Sequence, residues 1–213
     1  MTSRDEEHGL DQIMGANSVT LVRRRYPRYS HRVPRLVSEH VKLALREDGG
    51  LRVAIVADTH SEMHPRTAEL LKKEEPDAIL HAGDIGSLEV VEKLETIAPT
   101  YAVRGNIDGH VKPDDIVLDF ERATLFLTHI AVNGPKIRAD AARRAHAAKA
   151  AIVVCGHSHV PFLGRDKNLV VFNPGSVGPR RFHLPIVFGL MELKDGKLGF
   201  EHVSCETGER WLP

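Results

Sequence analysis

Five short polar clusters, each set directly behind an apolar run, constrain this chain more than any other feature. Asp58-Thr59-His60 follows the valine- and isoleucine-rich run 51–57, and Gly83-Asp84 follows 78–81. Gly105-Asn106-Ile107-Asp108 follows 100–103, His129 ends 124–128, and Gly156-His157-Ser158-His159 follows 151–155. Their principal residues, 58, 84, 106, 129 and 157, lie 26, 22, 23 and 28 positions apart. That spacing is close to the roughly 30 residues of one strand–helix–strand unit. Continuous apolar runs of this length read as strands buried on both faces. Parallel strands bring their carboxyl ends to one sheet edge, which opens into a crevice. The spacing therefore predicts a single site where the five clusters converge.

The intervening segments support this organisation. Helices are predicted over 66–75, ended by Pro76, over 88–96 and over 138–150. Strands are predicted at 116–120 and 124–128 around a turn. Further strands follow at 169–172, 186–193 and 198–203, the last two joined by Asp195-Gly196 as a hairpin. Strands alternating with helices and then dominating predict layered α/β with a mixed sheet or two packed sheets. No internal repeat is visible. The 213 residues, 42% hydrophobic and 27% charged, exclude collagen-like and wholly disordered chains.

Residues 1–50 read as an N-terminal extension to a main domain spanning 51–213. Residues 1–18 are polar and read as a flexible tail. Arg23, Arg24, Arg25, Arg28, Arg32 and Arg35 follow without an intervening acid, with Tyr26 and Tyr29 among them. This arm reads first as a solvated linker or a segment packed on its own domain. The alternative is a basic arm for nucleic acid, an acidic partner or anionic lipid. Residues 34–47 read as a helix placing Val37, Val41, Ala44 and Leu45 on one face, stopped by Gly49-Gly50. That face needs a partner, either the main domain or a second copy in a homo-oligomer. The chain as a whole carries 29 basic and 29 acidic residues, so nothing binds it by bulk charge. No apolar run approaches the roughly 18 residues of a membrane span, and the first residues do not read as a signal peptide. The two cysteines, Cys155 and Cys205, are too few for a disulfide framework, and the default location is the cytoplasm.

The residue types in the clusters specify metal. Asp58, His60, Asp84, Asn106, His129, His157 and His159 offer oxygen and nitrogen ligands and no sulfur. Seven ligands exceed one tetrahedral ion and suit two ions sharing a carboxylate, with Asp84 the natural bridge. Two dications against two aspartates leave a net positive site, which would attract a phosphate ester. The ligand set suits manganese first, with iron, nickel, cobalt or zinc as alternatives.

The ordered set Asp58-x-His60, Gly83-Asp84, Gly105-Asn106-x-Asp108, Thr128-His129, Gly156-His157-x-His159 and Asn173-Pro174-Gly175-Ser176 resembles the motif series of calcineurin-like metallophosphoesterases. It is most similar to their small bacterial and archaeal phosphodiesterases. The resemblance covers about 51–203. It implies a four-layer αββα sandwich of two mixed sheets flanked by helices, with a binuclear metal centre at one end. It also implies Asp58, His60, Asp84 and His159 around the first ion, and Asp84, Asn106, His129 and His157 around the second. Asp108 matches a position that orients the site from behind the ligands. Asn106, His157 and the ions would hold phosphoryl oxygens while a bridging hydroxide attacks phosphorus in line. Arg104 is a candidate phosphate clamp by position.

The chain departs from the family pattern at two places. Ile107 stands where larger members place a histidine that protonates the leaving group. Ile130-Ala131 stands where many members read Gly-His. General-acid help is typically worth about 10²–10⁴-fold. A slow or selective enzyme favouring good leaving groups is therefore expected, with His110 a candidate replacement acid and His64 a neighbouring loop residue. A diester is favoured over a monoester because no large cap is present. The rival reading is a non-catalytic metal-binding scaffold acting through protein partners, as the retromer subunit of the same superfamily does.

Overall fold

The computed structural model describes residues 14–15, 18–19, 36–110, 112–121 and 123–212. The chain divides into two units, Met1–Arg35 and Leu36–Pro213. In the first, β1 (Met14–Gly15) pairs antiparallel with β2 (Ser18–Val19). The arginine-rich arm and most of the polar tail lie outside the described residues.

The second unit begins with a correction. Ser38–Lys42 is a strand, β3, not the predicted helix. Val41 and Leu45 pack against the core and Leu43 is buried within it, an alternation of period two. The free edge of a distant strand supplies the backbone partners that a helix would have found locally.

The remaining elements are β4 (Leu51–Val56), α1 (Thr67–Lys73), β5 (Ala78–His81), α2 (Glu89–Glu95) and β6 (Thr100–Ala102). Next come β7 (Asp115–Phe120), β8 (Ala123–Thr128), β9 (Val132–Asn133), β10 (Lys136–Ile137), α3 (Ala139–Ala147) and β11 (Ile152–Val154). The chain continues with β12 (Phe162–Asp166), β13 (Leu169–Asn173), β14 (Val187–Lys194), β15 (Lys197–Ser204) and β16 (Arg210–Trp211). Two six-stranded mixed sheets result, ordered β16-β15-β14-β4-β5-β6 and β12-β13-β11-β8-β7-β3. Strand β12, unpredicted, adds to the outer edge of β13 in antiparallel register from Phe162 opposite Asn173 to Asp166 opposite Leu169.

Side-chain alternation along the strands produces the layers. Val53, Ile55, Leu80, Met191 and Leu193 of one sheet meet Leu118, Leu125, Leu127, Val154 and Phe172 of the other in a central core. The intervening Ala54, Val56, Ile79 and Phe188 face Leu70 and Leu71 of α1 and Val90 and Leu94 of α2. Phe126, Val153 and Val171 face Ala141 and Ala145 of α3. This is the expected helix–sheet–sheet–helix order, and it explains strands apolar on both faces. Among the described residues no helix is long and apolar enough to cross a membrane.

The clusters meet across two sheets, not along the edge of one. Strands β4, β5 and β6 run parallel and end at Asp58, Asp84 and Asn106. Strands β8, β11 and β13 run parallel in the second sheet and end at His129, His157 and Asn173. The 23-residue step from 106 to 129 contains the antiparallel pair β7–β8 rather than a crossover helix.

Candidate metal centre

Local backbone geometry aims the polar side chains. Asp58, His60, Asp84, His157 and His159 all have positive φ, between 46° and 70°. Non-glycine residues rarely adopt this region, and such strain concentrates at functional sites. Two motif glycines make room for the turns. A Cβ on Gly83, which sits at φ 89°, would lie 2.7 Å from His129 Nδ1; one on Gly105 would lie 2.1 Å from the backbone nitrogen of Asp84.

Six of the seven predicted ligands form two groups, each with its ligand atoms within 4.8 Å of one another: Asp58, His60 and His159, and Asp84, His129 and His157. In the first, His159 Nε2 is 3.5 Å from Asp58 Oδ1 and 3.4 Å from His60 Nε2. In the second, His129 Nε2 is 3.3 Å from Asp84 Oδ1 and 3.1 Å from Asn106 Oδ1. Asp84 turns one oxygen to each group. Its Oδ1 faces His129, and its Oδ2 lies 3.8 Å from His60 Nε2.

Hydrogen bonds from behind hold the ligands. The His157 N–H donates to both Asp58 oxygens, at 3.1 and 3.0 Å, joining the end of β4 to the end of β11. His129 Nδ1–H donates to the Ala82 carbonyl at 2.7 Å, which leaves Nε2 facing the site. This is the arrangement that fixes the tautomer of a ligating histidine. Asp108 accepts from the N–H groups of Ile85, Gly86 and Gly105, stapling the turn after β5 to the turn after β6. Ser176 Oγ–H donates to the Asp58 carbonyl, and Asn173 Nδ2–H donates to the Gly156 carbonyl.

The electrostatics fit a cation. Burial pushes the Asp58 carboxyl up to about 7, against the opposing pull of His129. Burial also works against Asp84. The hydrogen bond and charge of His129 and the N–H groups of Ile107 and Asn106 outweigh it, holding this carboxyl well below its usual range. His129 is raised: burial opposes its charge, but Asp84, the Ala82 carbonyl and Asp58 prevail. His60, His157 and His159 are lowered, first by burial. His159 Nδ1 is buried without a hydrogen-bond partner. Buried carboxylates beside imidazoles that burial holds neutral at His60, His157 and His159, with Nε2 of His159 turned to Asp58, are a donor set that a divalent ion satisfies.

The other predicted residues divide. Arg104 is committed elsewhere: it ion-pairs with Asp114 and donates to the Gly109 carbonyl. A groove of about 350 Å³ runs from Asn106 and His129 past Ile130 to Arg104, Arg138 and Arg144. Arg138 and Arg144 are likewise paired, with Asp140 and Asp115. His110 is exposed on the loop after Asp108, and His64 is half-buried. Ala131 is buried against α3 with Ala141 and Ala145. Cys155 and Cys205 are free and buried.

Two residues that the sequence places beside the site, His81 before Gly83-Asp84 and Arg181 in the Arg180-Arg181 pair, acquire their partners only in the structure. His81 is fully buried and ties Thr59 to the turn at Gly83. Arg181 places Nη2 3.0 Å from His60 Nε2, and only its position in the Arg180-Arg181 pair, after Ser176, hinted at it.

Comparison with known proteins agrees with this geometry. The family model of the calcineurin-like phosphoesterase superfamily domain matches residues 51–196. A probable metallophosphoesterase of Methanothermobacter thermautotrophicus is 30% identical over 149 residues, 65% of this chain and 84% of the relative. Phosphodiesterase YfcE of Escherichia coli K12 is 31% identical over 116 residues, 49% of this chain and 59% of the relative. Among solved structures, vacuolar protein sorting 29 of Cryptosporidium parvum superposes with a TM-score of 0.65 at 22% identity, covering 76% of this chain and 94% of that one. With two facing mixed sheets, the matched motif series and a profile spanning most of the chain, the protein belongs to the calcineurin-like phosphoesterase superfamily.

Proposed function

We propose that the chain is a metal-dependent phosphodiesterase with two divalent ions. Asp58, His60, Asp84 and His159 would hold one ion, and Asp84, Asn106, His129 and His157 the other. The observation that carries this reading is the placement of Asp84, with one carboxylate oxygen toward each histidine group. When bound, the ions supply a water that ionises near neutral pH and positive charge opposite the phosphoryl oxygens. Manganese is our first choice from the oxygen and nitrogen donor set. The YfcE relative supports the diester, and the free, buried thiols support a cytoplasmic setting.

The chain's own residues supply the rest. Hydrolysis joins a water oxygen to phosphorus and breaks the bond to the leaving group, whose oxygen takes up a proton. Asn106 and His157, which follow β6 and β11, would hold phosphoryl oxygens. Ile107, half exposed beside Asn106, has no proton to give, so esters whose leaving groups depart as stable anions are favoured. Replacing Asp84 with Asn should lower kcat for bis(4-nitrophenyl) phosphate by at least about 10³-fold with Mn²⁺ supplied. Turnover surviving in D84N would overturn the mechanism.

A second reading is a scaffold that binds proteins over the same site. The likeness to vacuolar protein sorting 29 and the isoleucine at position 107 favour it. Stoichiometric binding of two ions with no hydrolysis of any phosphoester would select it.

A further inference from the structure

We propose that Arg181 and Phe182 form the substrate-recognition tip of this site, taking phosphodiesters whose retained group, opposite the leaving group, is planar and aromatic. The proposal rests on the phosphodiesterase reading and names its substrate class. Arg181 differs from the other arginines around the centre. Arg104, Arg138 and Arg144 are each paired with an aspartate. Its neighbour Arg180 donates to the Leu184 carbonyl and pairs with Glu206. Arg181 has no carboxylate partner among the described residues, and its guanidinium lies 3.0 Å from His60 Nε2, the lone pair that a bound ion would take from it. A cation held against a cation-binding site calls for an anion between them. A guanidinium fork suits phosphoryl oxygens in two-point contact.

Phe182 is the next residue. It is 90% exposed and has φ 53°, in a turn closed by the Leu184 N–H to the Arg181 carbonyl. Left-handed backbone is costly for a bulky residue, and nothing in the fold is gained by exposing the ring. Two of the other exposed apolar side chains, Ile107 and Val160, directly follow the candidate ligands Asn106 and His159. Exposed apolar side chains thus follow two candidate ligands in the chain, and Phe182 follows the arginine that lies against a third, His60. An ester with a charged phosphoryl group and a flat aromatic substituent matches both features, because aromatic faces stack on Phe regardless of ring identity.

The test holds the leaving group constant. The full-length protein with Mn²⁺ is given 4-nitrophenyl diesters whose retained group is thymidine, phenyl or methyl. Thymidine should lower KM about tenfold relative to methyl, the size of one base–aromatic stack. Phenyl should follow if any flat ring suffices, and should resemble methyl if the nucleobase is required. F182A should bring the thymidine-to-methyl ratio of kcat/KM close to one. R181Q should raise KM for every ester by a similar factor and preserve that ratio. Calorimetric binding of thymidine monophosphate and methyl phosphate to the Mn²⁺-loaded proteins reads the same preference without turnover. Hydrolysis with equal KM for all three esters would overturn the proposal while leaving the phosphodiesterase reading intact. No hydrolysis, but tighter thymidine monophosphate binding that F182A abolishes, would retain the recognition tip and discard the hydrolase. Equal binding of both phosphates would discard the tip and turn these exposed apolar side chains toward a protein partner.

Discussion

His81 shows how a single side chain can tie a site together without entering it. The Gly83 N–H donates to its Nδ1 at 3.2 Å, so the ring proton is on Nε2. That proton is donated to Thr59 Oγ1 at 3.0 Å, and the Thr59 hydroxyl donates on to the Ile85 carbonyl at 2.8 Å. The relay locks the residue between Asp58 and His60 to the turns flanking Asp84. Burial drives the His81 pKa down to about 3, below the ordinary value near 6.5. The unfolded chain therefore binds a proton that the folded chain refuses between these two values. The stabilisation is whole above pH 6.5 and is lost as pH falls from 6.5 toward 3. Urea unfolding of His81→Gln at pH 7, 6 and 5 should show a shallower loss of stability than wild type, by roughly 2 kcal/mol across that window. Parallel pH profiles would refute the assignment. At this scale the sequence picked out the candidate ligands that the structure brings into two groups, because metal chemistry restricts residue type. It could not give the partners of His81 or Arg181, which lie 22 and 121 positions away.

At the scale of elements, β3 is the most consequential correction. Residues 38–42 run parallel to β7, with Ser38 opposite Asp115 and Lys42 opposite Asp119. Leu43 is buried behind them and Arg46 pairs with Asp77. A protein cut at residue 51 loses all of this; one cut at residue 36 keeps it. The shorter protein should melt lower by on the order of 10 °C, given roughly 3 kcal/mol for a buried leucine and an edge strand in a domain of this size. Equal melting temperatures by calorimetry would show that β3 contributes nothing. The helix reading failed for a physical reason. Val37, Val41, Ala44 and Leu45 can be placed on one helical face, but Val41, Leu43 and Leu45 also alternate, and an open strand edge decided between the patterns. The remaining elements were legible where both faces of a strand are apolar or where a helix has clear ends. Strand β12 was not, because it carries exposed Leu163 and Arg165 and owes its form to β13.

For the whole molecule, the two sheets and the metal centre are coupled. Asp58 and Asp84 come from the first sheet, His129, His157 and His159 from the second. An ion held by the proposed ligands would thus bridge the two halves of the sandwich and add stability by mass action, about 2.7 kcal/mol at a hundredfold excess over Kd. Without the ion, Asp58 is raised to about 7 by burial and His129 is raised by its carboxylate and carbonyl partners. Both must shed protons to coordinate. Metal affinity should therefore fall as pH drops below 7, and binding should release protons. Calorimetry of Mn²⁺ binding in buffers of different ionisation enthalpy, at pH 6 and pH 8, checks both. Affinity independent of pH would exclude these two groups as ligands.

By itself, the sequence determined the strand cores, the chemistry of the ligands and their recurrence at strand ends, because burial and metal preference act on residue type and spacing. The tertiary structure decided which sheet each cluster belongs to, that Arg104 is spoken for by Asp114, and that Arg181 is not. It also decided that residues 38–42 are a strand. These outcomes depend on pairings between segments distant in the chain. Such pairings are settled by which backbone edges and charged partners meet in space, and no local pattern encodes them.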